Sequence, residues 1–221
     1  MSKNPELENL EAALRDLPVF PLPQVVLFPR ALLPLHIYEP RYRTMLKDAL
    51  ATHRAIAMAI IVDSQEKESH GNPKIATIAG GGVILEHQGL ADGRSNILLH
   101  GVARIRLEEL PFVPPYRRAR GTILHDAPAV IPASDRTALL AEATAFAGEV
   151  HKREASFSFR LPPSLEPGAI ADLCAHHLVI DARARQKILE ELDVVERVRL
   201  VTSELAVQHG ALRSSDGALS H

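Results

Sequence analysis

The chain has 221 residues, with 25 basic and 27 acidic side chains, a single cysteine and a hydrophobic fraction of 46%. This is the composition of a globular protein large enough to bury a core without disulfides or metals, and it excludes intrinsic disorder and collagen-like structure. The longest uninterrupted apolar run, Ala55 to Val62, is much shorter than the roughly 18 residues that a membrane-spanning helix needs. The sequence therefore predicts no transmembrane helix and no membrane partner.

The amino terminus and the cysteine content predict a cytoplasmic protein. Residues 1–9 lack the basic and apolar regions of an export signal. Cys174 has no second cysteine with which to form an internal disulfide, and disulfides are typical of oxidising compartments. We therefore expect the protein to act in the cytoplasm.

From Leu17 to His125 the apolar residues form short runs broken by proline, glycine or Asp-Gly, a pattern typical of strands joined by turns. One helix should interrupt the strands, beginning at Pro40, because the first turn of a helix tolerates proline. The segment Ala91 to Arg94 predicts a hairpin turn, since Asp-Gly accepts positive φ. The predicted strands are Val19 to Leu22, Val25 to Phe28, Leu32 to Tyr38, Ala55 to Val62, Lys74 to His87, Asn96 to Leu110 and Tyr116 to Leu124.

The second half of the chain has a helical period and predicts four helices. The first should follow Ser134 as its N-cap, and the second carries an apolar stripe that begins at Ile170. The third should open at Asp181 and the fourth at Asp193, where a glutamate three residues later resembles a capping box. Such helices form a bundle or pack on the sheet. The residues from His209 onward are small and polar, and we expect them to fray.

The sequence contains no recognisable catalytic or metal-binding arrangement. The adjacent pair His176 and His177 points in different directions on a helix, and neither HExxH nor CxxC occurs. The run from Gly80 to Gly82 lacks the Gly-Lys-Ser/Thr of a P-loop, which favours a bulge or a close strand approach. Cys174 lies on an apolar helical face and is predicted to be a core residue. We therefore predict no catalytic residue, no metal, no cofactor and no enzymatic activity.

Two alternatives to a simple binding module stay open from the residues alone. A hydrolase with an unrecognised nucleophile and base would require a polar pocket in which those two groups touch. RNA binding would use a positive stripe across two strands, although only Tyr116 lies nearby as a stacking platform. Nucleic acid is not expected to be the main partner, because residues 1–125 carry 15 basic and 13 acidic side chains, close to neutrality. The arginines of the possible stripe are Arg104, Arg106, Arg117, Arg118 and Arg120.

Three ordered stretches carry a pattern more specific than strand or helix composition. They are Leu17 to Leu22 with Val26 to Pro29 and Leu33 to Tyr42, then Asp92 to Arg104, and finally Ile170 to Leu173 with Gln186 to Arg197. Together they resemble the N-terminal domain of Lon proteases, in the form found in small stand-alone bacterial proteins. The similarity spans about residues 17–207.

This resemblance implies an α+β fold in which a PUA-like β-barrel with one inserted helix is followed by a C-terminal four-helix subdomain. The implied organisation is an N-terminal extension at 1–16, the barrel at 17–127, the helical subdomain at 128–208 and a frayed tail at 209–221. In full-length Lon this region helps to select and hold unfolded or damaged polypeptides ahead of an ATPase motor and a protease. The Walker and protease motifs do not occur in this sequence, so the resemblance does not imply ATPase or peptidase activity.

Our leading hypothesis is a non-catalytic module that binds unfolded or apolar polypeptide segments in protein quality control, with a separate protease or chaperone as a further partner. Proline cannot donate to a strand ladder, so the proline-rich opening should form short strands with partly open edges. Such an edge can accept an extended segment. The alternative for each apolar side chain there is that it fills the barrel. The residues predicted to bind are Phe28, Leu35, Ile37, Tyr38, Arg41 and Tyr42.

Overall fold

The computed structural model describes residues 4–67, 71–162 and 164–218. The chain forms two compact units, Met1–His125 and Asp126–His221, which we call the barrel unit and the helical unit. Within the described residues, no helix combines the length and the apolar composition that crossing a bilayer requires. The same residues contain no group of three or more histidine, cysteine, aspartate or glutamate side chains that could hold a metal ion.

The barrel unit is a sheet of seven strands whose path closes on itself. The order β1-β7-β6-β5-β3 is closed by parallel pairing of β1 with β3, while β4 pairs with β3 and β2 pairs with β6 outside this closed path. Helix α2 lies between β2 and β3 in the chain, as predicted, and buries Tyr42 and Met45. The elements are α1 (Pro5–Ala13), β1 (Leu17–Leu22), β2 (Leu32–Ile37), α2 (Pro40–Ala51), β3 (Ala55–Lys67), β4 (Pro73–Ile75), β5 (Ile78–Gly89), β6 (Ser95–Glu109) and β7 (Arg117–Leu124).

The N-terminal extension forms helix α1, which the sequence analysis did not predict. Asn4 caps it by accepting a hydrogen bond from the backbone N–H of Glu6 at 3.1 Å, and Pro5 occupies the first turn. Leu10 is completely buried in the barrel core, in a cluster that includes Leu17 and Ile105. Residues before β1 therefore contribute to the core of the barrel unit.

Two predicted strands differ in the structure. The segment from Val25 to Phe28 is not a strand, although Leu27 and Phe28 are completely buried. The apolar run therefore predicted burial correctly, but burial does not require hydrogen bonding to a neighbouring strand. The segment from Lys74 to His87 divides into β4 and β5. The predicted irregularity at the triglycine run is confirmed, since the β5–β6 register shifts between Gly81 and Gly82.

The predicted hairpin turn between β5 and β6 is confirmed. Leu90 donates its N–H to the carbonyl of Arg94 at 2.8 Å, and Gly93 adopts a φ of 80° that favours glycine. Asp92 accepts a hydrogen bond from the backbone N–H of Arg94 at 3.0 Å, and this bond is the first cause of the lowered pKa of its carboxyl group. The Asp-Gly-Arg sequence thus shapes the turn.

The helical unit contains the four predicted helices, α3 (Ala133–Arg153), α4 (Pro167–Leu178), α5 (Ala182–Glu190) and α6 (Val194–Ala218). Asp181 caps α5 through the N–H of Ala184, and Asp193 accepts from the N–H of Val195, each at 2.8 Å or less. The predicted cap of α3 is wrong, because that helix begins one residue before Ser134. Helix α6 continues through the residues from His209 that were expected to fray; residues 219–221 lie outside the described part.

A buried ion-pair network holds the helical unit together. Arg197 of α6 is completely buried and donates to both carboxylate oxygens of Asp126, one of them at 2.7 Å. Its guanidinium also donates to the carbonyl of Glu191 at 2.8 Å, and its Nε lies 3.2 Å from the carboxylate of Asp172 on α4. One side chain therefore connects α4 and α6 with the segment that precedes α3.

Cys174 on α4 is completely buried, as predicted for a core residue, and burial raises the pKa of its thiol to about 12. An unperturbed thiol has a pKa of about 8.5, so the folded protein should hold about a thousandfold less thiolate at mildly alkaline pH. We expect a water-soluble maleimide to label Cys174 correspondingly slowly in the folded protein and quickly in denaturant. Equal labelling rates in the two states would contradict this assignment.

Candidate functional site

The barrel unit contains a cavity of about 230 Å³ whose wall is rich in aromatic and proline side chains. We call this cavity the aromatic pocket and define it by Tyr38, Tyr42, Phe112 and Tyr116 together with Pro21, Pro23, Pro73 and Pro115. Its wall combines β1, the junction between β2 and α2, β4 and the connection from β6 to β7. Such a wall offers rigid apolar surface, because proline and aromatic side chains have few rotatable bonds.

The junction of β2 with α2 places two tyrosines and an ion pair at the pocket. Tyr38 follows the last residue of β2 and is 60% exposed, whereas Tyr42 in the first turn of α2 is buried against Phe20, with ring centroids 4.4 Å apart. The guanidinium of Arg41 lies 4.5 Å from the Tyr42 ring centroid and donates to Glu39 at 3.0 Å. Burial raises the pKa of the Tyr42 phenol. This side of the pocket is therefore aromatic with a balanced pair of charges.

Arg117 is the buried polar residue of the pocket wall, and its charge is already paired. Its guanidinium forms two hydrogen bonds with the carboxylate of Glu109, at 2.7 and 2.6 Å, and donates a further bond to the carbonyl of Pro73. Only 4% of Arg117 is exposed. A carboxylate held in this bidentate way satisfies the guanidinium, so the pocket does not present a free cation to an acidic ligand.

The polar end of Tyr116 is likewise occupied within the barrel unit. Its hydroxyl donates to the carboxylate of Asp48 at 2.7 Å. Burial and this hydrogen bond to a carboxylate raise the pKa of Tyr116 to about 12. The phenol therefore stays protonated at neutral pH and keeps its bond to α2.

The lining residues lack the groups that the hydrolase alternative needs. Among the described residues around the pocket there is no serine, threonine, cysteine, histidine or lysine to act as a nucleophile or a nitrogen base. Its carboxylate, Glu39, is paired with Arg41 at 2.9 Å. The arrangement can hold an apolar group. The hydroxyl of Tyr116 contacts the carboxylate of Asp48, but its pKa is raised to about 12, so it is a poor nucleophile at neutral pH.

The structure brings together three of the six predicted binding residues. Tyr38, Arg41 and Tyr42 all line the aromatic pocket. Phe28 and Ile37 are 0% and 1% exposed and belong to the core, so we leave both out of the proposed site.

Leu35 is half-buried on β2 and is not part of the pocket wall. Sequence reasoning missed Phe112 and Tyr116. Their signal was the concentration of aromatic residues before residue 125.

The structure divides the arginines of the possible RNA-binding stripe. Arg104 and Arg117 are each only 4% exposed, and Arg117 is bound to Glu109. Arg118 forms an ion pair with Asp16 at 2.8 Å. Neighbouring residues of a strand point to opposite faces, so Arg117 and Arg118 cannot share one surface. These five arginines do not form the continuous basic face that RNA binding would need.

Comparison with known proteins identifies the family. Residues 16–207 match the profile of the ATP-dependent protease La (LON) substrate-binding domain. The chain belongs to this family. Lon protease 2 of Bdellovibrio bacteriovorus is 30% identical over 202 residues, covering 88% of this chain and 25% of that protein. Lon protease of Roseiflexus castenholzii is 30% identical over 197 residues, or 86% of this chain and 24% of that protein. The chain thus spans about a quarter of the length of these curated relatives.

Two solved structures of Lon N-terminal domains have the same fold. A Lon N-terminal domain protein from Xanthomonas campestris gives a TM-score of 0.63 at 18% identity, covering 85% of this chain and 97% of that one. The N-terminal domain of Mycobacterium avium complex Lon protease gives the same TM-score and identity, with 86% and 98% coverage. The predicted PUA-like α+β fold is confirmed. The Lon substrate-binding domain is a non-catalytic module of substrate recognition in proteolysis.

Proposed function

We propose that this protein binds unfolded or apolar polypeptide segments in protein quality control and that the aromatic pocket holds one bulky apolar side chain of the segment. The observation that carries the proposal is the wall of four aromatic and four proline side chains in a member of a substrate-binding family. The cavity of about 230 Å³ is smaller than the sites of roughly 300–1,000 Å³ that enclose whole small molecules. A single side chain, presented by a longer chain that remains outside, suits this size.

The charges around the pocket support an apolar occupant. Arg117 is bound to Glu109, and Arg41 is bound to Glu39, so both cations in the wall already have carboxylate partners. Binding an acidic group would have to replace these pairs, whereas an aromatic or aliphatic side chain leaves them intact. We therefore propose neutral, bulky residues as the preferred occupants.

The size of the contact predicts weak binding. Burial of about 400 Å² of apolar surface would release roughly 10 kcal/mol at about 25 cal/mol/Å². Association costs of about 4–15 kcal/mol offset much of this gain. We expect micromolar or weaker affinity for a single segment, so that several segments or a second protein would be needed for tight capture.

Replacement of Tyr38 by alanine should weaken binding of an unfolded protein by about tenfold, because truncating an exposed aromatic contact typically costs about 1–2 kcal/mol. Tyr38 is 60% exposed, so its removal leaves the core intact. Fluorescence anisotropy with a labelled, reduced and carboxymethylated protein measures the change. Leu85→Ala is the matched control, since Leu85 is 41% exposed and lies outside the pocket. Equal effects of the two replacements, or no binding by the unaltered protein at high micromolar concentration, would refute the proposal.

In this proposal the protein has no catalytic role of its own, acts in the cytoplasm and presents its clients to a separate protease or chaperone. The support is the family, which serves substrate recognition in proteolysis. Affinity capture from lysate with the intact protein and with Tyr38→Ala tests the partner. A protease or chaperone that depends on clients should be depleted in the Tyr38→Ala sample, and one that binds the protein directly should be retained.

A further inference from the structure

Strand β2 has one unpaired edge. It pairs in antiparallel fashion with β6 from Leu32↔His100 to Ile37↔Ser95, and no other described strand pairs with it. The reason is that β2 lies outside the closed path of the barrel. Strand β6 pairs with β2 from Ser95 to His100 and with β7 from Arg104 to Glu109. An unpaired edge offers a row of backbone N–H and C=O groups to another chain.

The register shows which backbone groups lie at this free edge. Gly101 donates its N–H to the carbonyl of Ala31 at 2.8 Å, so the bonded positions alternate from Ala31 onward. Leu33, Leu35 and Ile37 consequently bond to β6, whereas Leu32, Pro34 and His36 direct their backbone groups away from it. Pro34, which has no N–H, thus occupies a position where β6 needs none. The free edge retains the N–H groups of Leu32 and His36 and three carbonyls.

The carboxyl end of β2 adjoins the aromatic pocket. Tyr38 follows Ile37, the last residue of β2, and lines the pocket. Its ring is nearly parallel to that of His36, with centroids 6.2 Å apart. Leu32 at the other end of the strand is 47% exposed. A chain laid along β2 would therefore meet backbone partners first and the pocket at the end of the strand.

We propose that the client segment binds in an extended conformation as an additional strand on the free edge of β2, with a bulky side chain in the aromatic pocket. This inference rests on the proposed function and specifies its binding mode. The two halves of the surface define the occupant, because the edge recognises a backbone and the pocket recognises an apolar side chain. An extended polypeptide supplies both, and its backbone contacts are independent of sequence.

Pro34 limits how strongly this edge binds. Because it has no backbone N–H, it interrupts the row of N–H donors in the middle of the free edge. Proline at such a position protects an exposed edge from pairing with further copies of the same chain. The same interruption leaves a client segment one hydrogen bond short. The edge should therefore take up clients weakly and release them, which agrees with the micromolar affinity expected above.

Replacement of Pro34 by alanine adds the missing N–H and tests the inference directly. The affinity for a short labelled peptide of alternating valine and threonine with one central phenylalanine should rise about three- to tenfold, the effect of about one hydrogen bond. Leu32→Pro removes an outward N–H and should weaken binding by a similar factor, whereas Leu32→Ala keeps that N–H and controls for the side chain. Circular dichroism confirms that each variant is folded before anisotropy is measured.

A set of N-methylated peptides tests the same point without altering the protein. Two peptides are compared, one methylated at the odd-numbered backbone nitrogens and one at the even-numbered ones. One of them should lose binding and the other should bind nearly as well as the unmethylated peptide, because only one edge of the guest strand faces β2. Equal effects of the two methylation patterns would overturn the strand-addition mode.

The possible results separate this inference from the proposed function. If Tyr38→Ala weakens binding while Pro34→Ala and Leu32→Pro leave it unchanged, the pocket binds clients and the edge does not. If the unaltered protein binds neither the peptide nor an unfolded protein, both proposals fail. If Pro34→Ala instead produces dimers in sedimentation velocity with no gain in peptide affinity, the edge pairs with a second copy and the inference is overturned.

Discussion

Replacement of Arg197 by alanine should destabilise the helical unit by about 3–5 kcal/mol, the usual cost of removing one partner from a buried ion pair. The side chain is completely buried, and Asp172, whose carboxylate lies 3.2 Å from its Nε, is only 4% exposed. Without the guanidinium, the buried carboxylate of Asp172 loses the cation that compensates its negative charge. The replacement also removes the connection to Asp126 and the donor to the carbonyl of Glu191.

Urea denaturation followed by circular dichroism measures this loss, and Arg199→Ala is the matched control. Arg199 lies two residues further along α6 and bonds to Asp135 at 2.9 Å and to Glu196 at 2.7 Å, but its side chain is 53% exposed. Exposed pairs contribute at most about 1 kcal/mol, so the control should unfold close to the original midpoint. Similar midpoints for the two variants would show that burial of the network contributes no stability.

The two halves of the fold were predictable because each half has its own period. Alternating and interrupted apolar runs predict strands up to His125, and helical spacing predicts the helices that follow. Helix α1 was missed because it is short and only Leu10 and Ala13 are buried on it, which leaves little periodic signal. Val25 to Phe28 was misread as a strand because a run of apolar residues reports burial and not hydrogen-bond pairing.

The candidate site was predictable only where its residues are close in sequence. Tyr38, Arg41 and Tyr42 lie within five positions of one another, and the junction of β2 with α2 keeps them together. Phe112 and Tyr116 lie in the connection from β6 to β7. Long-range pairing of β7 with β1, from Leu17↔Ala119 to Val19↔Arg117, brings this connection to the pocket. The burial of Phe28 has the same origin, since it depends on strands that are distant in sequence.

The sequence predicted strands with partly open edges, but it did not show that the unpaired edge belongs to β2. Proline in the opening segment predicted partly open strands, yet Pro21 pairs with Ala59 of β3 and lies in the closed path of the barrel. Pro34 is the proline of the free edge, and only the register with β6 distinguishes the two cases. Sequence can therefore show that a strand donates few hydrogen bonds, and topology decides which edge a client can reach.

Replacement of Gly101 by alanine should destabilise the barrel unit by at least about 3 kcal/mol, at or above the usual range for overpacking. A Cβ at this position would overlap the carbonyl oxygen of Phe28, a backbone atom that cannot rotate away. The segment also cannot withdraw easily. Gly101 accepts a hydrogen bond from the N–H of Arg30 at 2.7 Å and donates one to Ala31 at 2.8 Å, and Phe28 itself is completely buried.

Gly148→Ala should have the opposite effect on stability and serves as the comparison variant. Gly148 lies within α3, and a Cβ there would meet no atom within 4 Å, so alanine should stabilise the helix by about 0.5–1 kcal/mol. In urea denaturation the two replacements should shift the unfolding midpoint in opposite directions. A Gly101→Ala protein that shows no cooperative unfolding transition would be the strongest form of the expected destabilisation.

An unchanged midpoint for Gly101→Ala would mean that the segment from Leu27 to Ala31 moves away from β6 at little cost. In that case this segment would not be a rigid support for the start of β2, and the free edge beside it would lose the fixed register on which strand addition depends.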